Sequence, residues 1–174
     1  MNLKLIIPTI PNWPRPGVDF LDITPVLETP AAFTHCVEWL AKCAQETRAT
    51  SLVAMESRGF PFAAAVAYQT NLPLILARKP NKLPRPVYAN SYDTEYSTDT
   101  IEIKQTAQVG PRPIIIDDLL ATGGTILAVA ELLRKNFTVD QVTAAVVIDL
   151  KFLPGHDALT KNAIKLFSLE EYSE

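Results

Sequence analysis

Hydrophobic positions cluster in four short runs, at residues 51–55, 74–77, 114–116 and 142–148, with little alternation inside each run. Runs of that length without a period of two predict strands buried on both faces. Between them lie helical patterns. Residues 31–49 place Phe33, Cys36, Val37, Leu40 and Ala44 at helical spacing, with Glu38, Lys42 and Gln45 on the other side. Residues 60–70 are Ala-rich, and residues 125–135 continue the series. Strand, polar turn and helix in repetition predict an α/β fold with a central, mostly parallel sheet flanked by helices. Residues 81–100 break the pattern. They carry Pro, Ser, Tyr, Asp and Thr without apolar periodicity, too long a stretch for a structureless connection, and are expected to form a lid or hairpin flap. Just beyond, Glu102 alternates with Ile101 and Ile103, which predicts the solvent side of a strand.

Composition narrows the class. With 174 residues, 48% of them hydrophobic, the chain is expected to form one domain with one core. Charged residues make up 20%, 16 Lys+Arg against 19 Asp+Glu, without a block of like charge, which argues against nucleic acid as a partner. No apolar stretch approaches the roughly 18 residues of a membrane span. The first ten residues lack the apolar core and cleavage site of a secretory signal, so the expected location is cytoplasmic. Cys36 and Cys43 are seven residues apart on one predicted helix, too far along its axis to bridge, and are expected to be core thiols. His35 and His156 are the only histidines, so neither a zinc cluster held by the protein nor a Ser-His-Asp or Cys-His mechanism finds its residues here.

In a parallel α/β sheet the ligand lies at the carboxyl ends of the strands, so the residues following each apolar run carry the chemistry. The strongest such segment is Asp117-Asp118-Leu119-Leu120-Ala121-Thr122-Gly123-Gly124-Thr125. Two carboxylates are followed by small residues that open directly into a helix. Successive N–H groups and the helix dipole make a cradle for one phosphate, with the Thr122 and Thr125 hydroxyls as further donors. A plainer reading is that the aspartates only cap loop amides and the glycines only make the turn. The Gly-x-x-x-x-Gly-Lys-[Ser/Thr] and Gly-x-Gly-x-x-Gly spacings are absent, which removes the usual support for kinase and dehydrogenase readings.

Residues 116–125 resemble the 5-phosphoribosyl 1-pyrophosphate (PRPP) binding motif of type I phosphoribosyltransferases. Further segments follow in the order and spacing of the adenine phosphoribosyltransferases: Ile10-Pro11-Asn12-Trp13-Pro14-Arg15-Pro16-Gly17, Phe20, Asp22-Ile23-Thr24-Pro25, Glu56-Ser57-Arg58-Gly59-Phe60, Arg78-Lys79-Pro80, Lys82-Leu83-Pro84, Ser91-Tyr92-Asp93, Glu95-Tyr96 and Phe167-Ser168-Leu169. The resemblance spans nearly the whole chain. It implies a type I phosphoribosyltransferase fold with a small hood at about residues 1–30, a flexible flap at about 81–103, and a homodimer.

The implied reaction is purine salvage: a purine attacks C1′ of PRPP and displaces pyrophosphate. By the same resemblance Ala121, Thr122, Gly123, Gly124 and Thr125 hold the 5-phosphate, and Asp117 and Asp118 the ribose hydroxyls. Arg58, Arg78, Lys79 and Lys82 surround the pyrophosphate, while Mg²⁺ is held mainly by substrate oxygens and water. Glu95, with Tyr96 beside it and Arg58 near the leaving group, is the implied proton-transfer residue. Asp19, Phe20, Leu21 and Leu119 surround the base.

Four departures bear on the expectation. Asn81 and Ser97 stand where the family commonly has glycine. Asp19 replaces an aliphatic residue and Leu21 a basic one. A carboxylate facing the base would accept from N1–H and N2–H₂ of guanine and repel the N1 lone pair of adenine; facing solvent, it leaves adenine as the substrate. A regulator without catalysis on the same fold, and a pyrimidine or orotate phosphoribosyltransferase, are the competing readings. The flap acid and the lack of a basic stripe count against the first; the Phe20 region and Glu56-Ser57-Arg58-Gly59-Phe60 count against the second.

Overall fold

The structure is a computed structural model that describes residues 1–93 and 98–173. After a 3₁₀ turn at Leu3–Leu5 the chain makes a small hairpin, β1 (Thr9–Ile10) against β2 (Phe20–Leu21), then α1 (Thr24–Glu28) and α2 (Pro30–Glu46). There follow β3 (Ser51–Met55), α3 (Gly59–Thr70) and β4 (Leu74–Ala77), then the antiparallel pair β5 (Val87–Asp93) and β6 (Thr98–Lys104). The rest of the chain is β7 (Pro113–Leu120), α4 (Gly124–Asn136), β8 (Thr143–Leu150), α5 (Gly155–Lys161) and β9 (Lys165–Tyr172).

Five strands form the central sheet in the order β4-β3-β7-β8-β9, each neighbouring pair parallel. Alternate strand residues feed two cores. Leu52, Ala54, Ile114, Ile116 and Ala145 pack with α1, α2 and α3 on one face. Val53, Met55, Ile115, Ala144 and Val146 pack with α4, α5 and β6 on the other. Two buried faces explain why the strands read as unbroken apolar runs. Each fully buried Val, Leu or Ile contributes about 1.5–3 kcal/mol.

Two elements differ from expectation. The apolar run at 114–116 ends before the strand does: β7 continues to Leu120, because Asp117 and Leu119 pair with Val146 and Ile148 of β8. The two aspartates therefore stand within a strand and not in a loop. The helix expected to reach residue 49 ends at Glu46, where the Thr47 hydroxyl donates to the Cys43 carbonyl at 2.8 Å and Arg48 reverses the chain at φ 50°. Residues 87–93 and 98–104 pair in register from Val87↔Lys104 to Asp93↔Thr98. The inward positions of β5 are Tyr88, Asn90 and Tyr92: Tyr88 meets Phe137 edge-on at 5.5 Å, and the Asn90 amide donates to the Ala128 carbonyl at 3.0 Å.

Glu102 is a correction. It lies on a strand, as expected, yet is 3% exposed. A further segment, the chain leaving β4, crosses that side of β6 and covers it. Among the described residues, no helix is long and apolar enough to cross a membrane.

Candidate active site

Strand β7 delivers Asp117 and Asp118, and five residues after Asp118 the chain enters α4 through Gly123 at φ 82°, a left-handed conformation that glycine adopts without strain. The Gly123 cap offers no side-chain acceptor, so the first-turn amides of α4 are open to an anion. This loop is held from behind. The Gly155 N–H donates to the Ala121 carbonyl at 3.1 Å, and the Tyr92 hydroxyl of β5 donates to Thr125 Oγ1 at 3.1 Å.

The loop, both aspartates, Arg58 and Lys79 border one cavity of about 560 Å³. Arg58 spans two partners: its Nε donates to Asp118 Oδ2 at 2.6 Å, and its guanidinium lies 5.3 Å from the centre of the Phe20 ring. Asp118 is 3% exposed and is neutralised by that contact. Asp117 is different. Burial, and then the charge of neighbouring Asp118, hold its carboxyl well above the usual carboxylate range. The pair, Asp118 buried and Asp117 half-buried at the cavity edge, is poised to take hydrogen-bonding hydroxyls or a cation from a ligand.

Of the expected cations, Arg58 and Lys79 border the cavity. Arg78 does not. Its guanidinium is committed to Glu56 (Nη2 to Oε1 at 2.9 Å, Nε to Oε2 at 3.3 Å) and to the Lys82 carbonyl at 3.2 Å. The Arg78 hydrogen bond leads the causes that hold Glu56 below its ordinary value. Lys82 is exposed on the turn beyond. Arg78 is thus a brace for the turn that carries the lysines, which a count of charges after strand ends could not separate from a ligand contact.

The base-side residues also divide. Phe20 lies under Arg58 with the Trp13 ring 4.4 Å away, and Leu119 borders the cavity. Asp19 and Leu21, on either side of Phe20, border a second cavity of about 480 Å³ with Leu150, Phe152 and Tyr172. Successive side chains of an extended segment point to opposite sides, so the structure brings Phe20 to Arg58, and not its two neighbours. Asp19 is exposed, and Leu21, half-buried, packs against the core that includes residues of α1, α2 and α3. Glu95 and Tyr96 lie outside the described residues.

Tyr92 and Glu56 were quoted in the motifs without a role, and the structure gives both one. The alternation Tyr88, Asn90, Tyr92 was the available signal for β5. The group formed by Asp149, fully buried, with His156 Nδ1 at 2.9 Å from its Oδ2 had no signal in sequence, because β8 and α5 bring it together.

Comparison with known proteins places this geometry in a family. A family model described as the phosphoribosyl transferase domain matches residues 22–170. An adenine phosphoribosyltransferase from Actinobacillus succinogenes is 43% identical over 172 residues, covering 98% of this chain and 95% of that relative. The chain belongs to the phosphoribosyl transferase family, among its adenine phosphoribosyltransferases. A second such relative, from Carboxydothermus hydrogenoformans, is 44% identical over 174 residues, 99% of this chain and 100% of its own. Among solved structures, the adenine phosphoribosyltransferase of Thermoanaerobacter pseudethanolicus superposes with a TM-score of 0.89 at 39% identity, covering 98% of each chain. That of Giardia lamblia, complexed with 9-deazaadenine, gives 0.91 at 31% identity over 98% and 96%. The central parallel sheet is therefore that of the type I phosphoribosyltransferase fold. Mg²⁺ implied by the family would find oxygen donors here in Asp117 and Asp118 beside the loop at residues 121–125, with most of its ligands coming from substrate and water.

Proposed function

We propose that this chain transfers the 5-phosphoribosyl group of PRPP to adenine, giving AMP and pyrophosphate. One observation carries the reading: a single cavity is bordered by the Ala121–Thr125 loop, the Asp117, Asp118 pair, Arg58 and Lys79. A phosphorylated sugar with a pyrophosphate at C1′ has that charge pattern.

In this reading the amides of residues 121–125 and the Thr122 and Thr125 hydroxyls bind the 5-phosphate. Asp117 and Asp118 accept from the ribose 2′ and 3′ hydroxyls. Phe20 stacks on the purine and Leu119 packs against it. The purine N9 lone pair forms a bond to C1′ as the bond from C1′ to the pyrophosphate oxygen breaks. The sugar passes through an oxocarbenium-like state, so the protein contributes alignment, charge neutralisation and exclusion of water. Lys79 and Arg58 meet the charge that develops on the leaving oxygens, and bound Mg²⁺ supplies further neutralisation of the diphosphate. Glu95 handles the proton of the base, with Tyr96 beside it and the flap, residues 81–103, closing over both. Arg78 and Lys82 act on the pyrophosphate through the turn they share. The unit of action is a cytoplasmic homodimer, each subunit one domain with its hood at residues 1–30.

The test is initial-rate turnover with PRPP and Mg²⁺ against adenine, guanine, hypoxanthine and xanthine in separate assays, following pyrophosphate release. Adenine alone is expected to turn over. Turnover of guanine or hypoxanthine in its place would overturn the base assignment, and silence with all four would overturn the enzyme. Since Asp19 is exposed beside a different cavity, Asp19→Val is expected to leave the adenine-to-guanine ratio of kcat/KM within about twofold. A larger change would place its carboxylate at the base.

A further inference from the structure

Glu102 has no part in the reaction as described, yet it is among the most deeply buried charges of the protein, its side chain 4% exposed. A carboxylate enclosed to that degree persists only where donors replace its lost water. Its donors come from one place, the turn that leaves β4. Oε2 accepts the Asn81 N–H at 3.1 Å, and Oε1 lies 3.1 Å from Arg85 Nη2. The backbones join as well: the Arg78 N–H donates to the Glu102 carbonyl at 2.9 Å and the Glu102 N–H to the Arg78 carbonyl at 2.7 Å.

The other end of the same turn is held by a second carboxylate. Glu56 accepts the Lys79 N–H at 2.7 Å together with the Arg78 guanidinium. Lys79 thus sits between two carboxylate grips, that of Glu56 on its own N–H and that of Glu102 on the N–H of Asn81, where the chain reverses at φ 64°. Both arginines of the turn are matched to carboxylates, Arg78 to Glu56 and Arg85 to Glu102. Lys79, by contrast, borders the cavity. The clamps cancel the charges that build the turn and leave the lysine charge to the ligand side.

We propose that Glu102 is a positioning residue for the pyrophosphate end of the substrate, acting through the backbone of the Lys79-to-Lys82 turn. A flexible lysine gains specificity for an anion only when its stem starts from a fixed point. A clamp on the turn therefore sets PRPP and pyrophosphate affinity, and leaves adenine affinity alone. This inference rests on the proposed phosphoribosyl transfer.

Glu102→Gln keeps the size of the side chain and one acceptor oxygen while removing the charge that holds Arg85. Its expected effect is a rise of about tenfold in KM for PRPP and in the inhibition constant of pyrophosphate, with KM for adenine within about twofold and kcat within about threefold. A Lys79→Ala background supplies the readout that a merely structural role would not move. If Glu102 acts through Lys79, adding Glu102→Gln to Lys79→Ala raises KM for PRPP by less than about twofold more. Unchanged PRPP kinetics in Glu102→Gln, or a penalty undiminished in the double variant, would overturn the proposal. Should Glu102→Gln not fold, Arg85→Ala removes the partner from the surface side and is expected to shift KM for PRPP by about threefold in the same direction; no shift there is equally fatal. Wild-type turnover with adenine tests the reaction itself, so a silent wild type and a kinetically normal Glu102→Gln are separate failures.

Discussion

Replacing Asp117 and Asp118 together by asparagine is expected to lower kcat/KM for PRPP by about 10²–10⁴. Two hydrogen bonds from ligand hydroxyls to charged acceptors are at stake, each about 1.5–3 kcal/mol, and every 1.4 kcal/mol is tenfold. The two positions contribute differently to the fold. Asp118 already has a cationic partner in Arg58 at 2.6 Å, whereas Asp117 is pushed upward by burial and by Asp118. For a carboxyl raised in the folded state, the favourable contribution is complete below its unfolded value and is lost as pH rises through the folded value. At neutral pH, above the unfolded value, Asp117 therefore works against folding. Asp117→Asn alone is expected to raise Tm at pH 7.5 while lowering turnover, with the gain vanishing below the ordinary aspartate range. Thermal unfolding at several pH values, beside initial rates, checks both halves. A lower Tm at neutral pH would mean that Asp117 is stabilised by its surroundings, and undiminished turnover in the double variant would remove both aspartates from the ribose.

Gly155→Ala is expected to have the next largest effect, although the residue touches no proposed ligand. A Cβ at this position would intrude on the Ala121 carbonyl oxygen and come within 3.0 Å of the Leu120 side chain. The nearer obstacle is backbone and cannot swing aside. Either α5 lifts, breaking the N–H bond from Gly155 to Ala121, or the phosphate loop shifts toward the cavity. Overpacking of this kind costs about 1–3 kcal/mol of stability. The displaced loop should also raise KM for PRPP by about tenfold or more, because a 1 Å error in a phosphate cradle is felt at the reacting atoms. Urea unfolding and PRPP kinetics measure the two effects; a variant normal in both would mean that α5 and the loop are free to separate.

The strands could be read directly, since β3, β7 and β8 are buried on both faces and their apolar runs carry that fact in one dimension. What could not be read was decided by partners distant in sequence. Strand β7 gained four residues from pairing with β8 that its composition did not announce. Glu102 was expected to face solvent because two isoleucines flank it, and the rule failed because another segment covers that side of the strand. The motif that carries Arg78, Lys79 and Lys82 marked the turn after β4 but not which of its charges are already partnered within the protein. Charge counts see four cations; only geometry sees that Arg78 is already spent on Glu56. Asp19 illustrates the same limit at the base side, where one step along an extended segment decides which cavity a side chain borders.

The two thiols of α2 give the protein an internal reporter. Cys36 and Cys43 face the core, and burial pushes both up to about 12. Since the thiolate is the reactive form, neither sulfur meets an oxidant or an alkylating reagent while the helix is seated. Activity should therefore be indifferent to reductant. Iodoacetamide uptake at pH 8 should wait for the helix to leave the sheet, so that its rate counts opening events of the whole core. Fast labelling of the active protein at either cysteine would show instead that α2 breathes on its own.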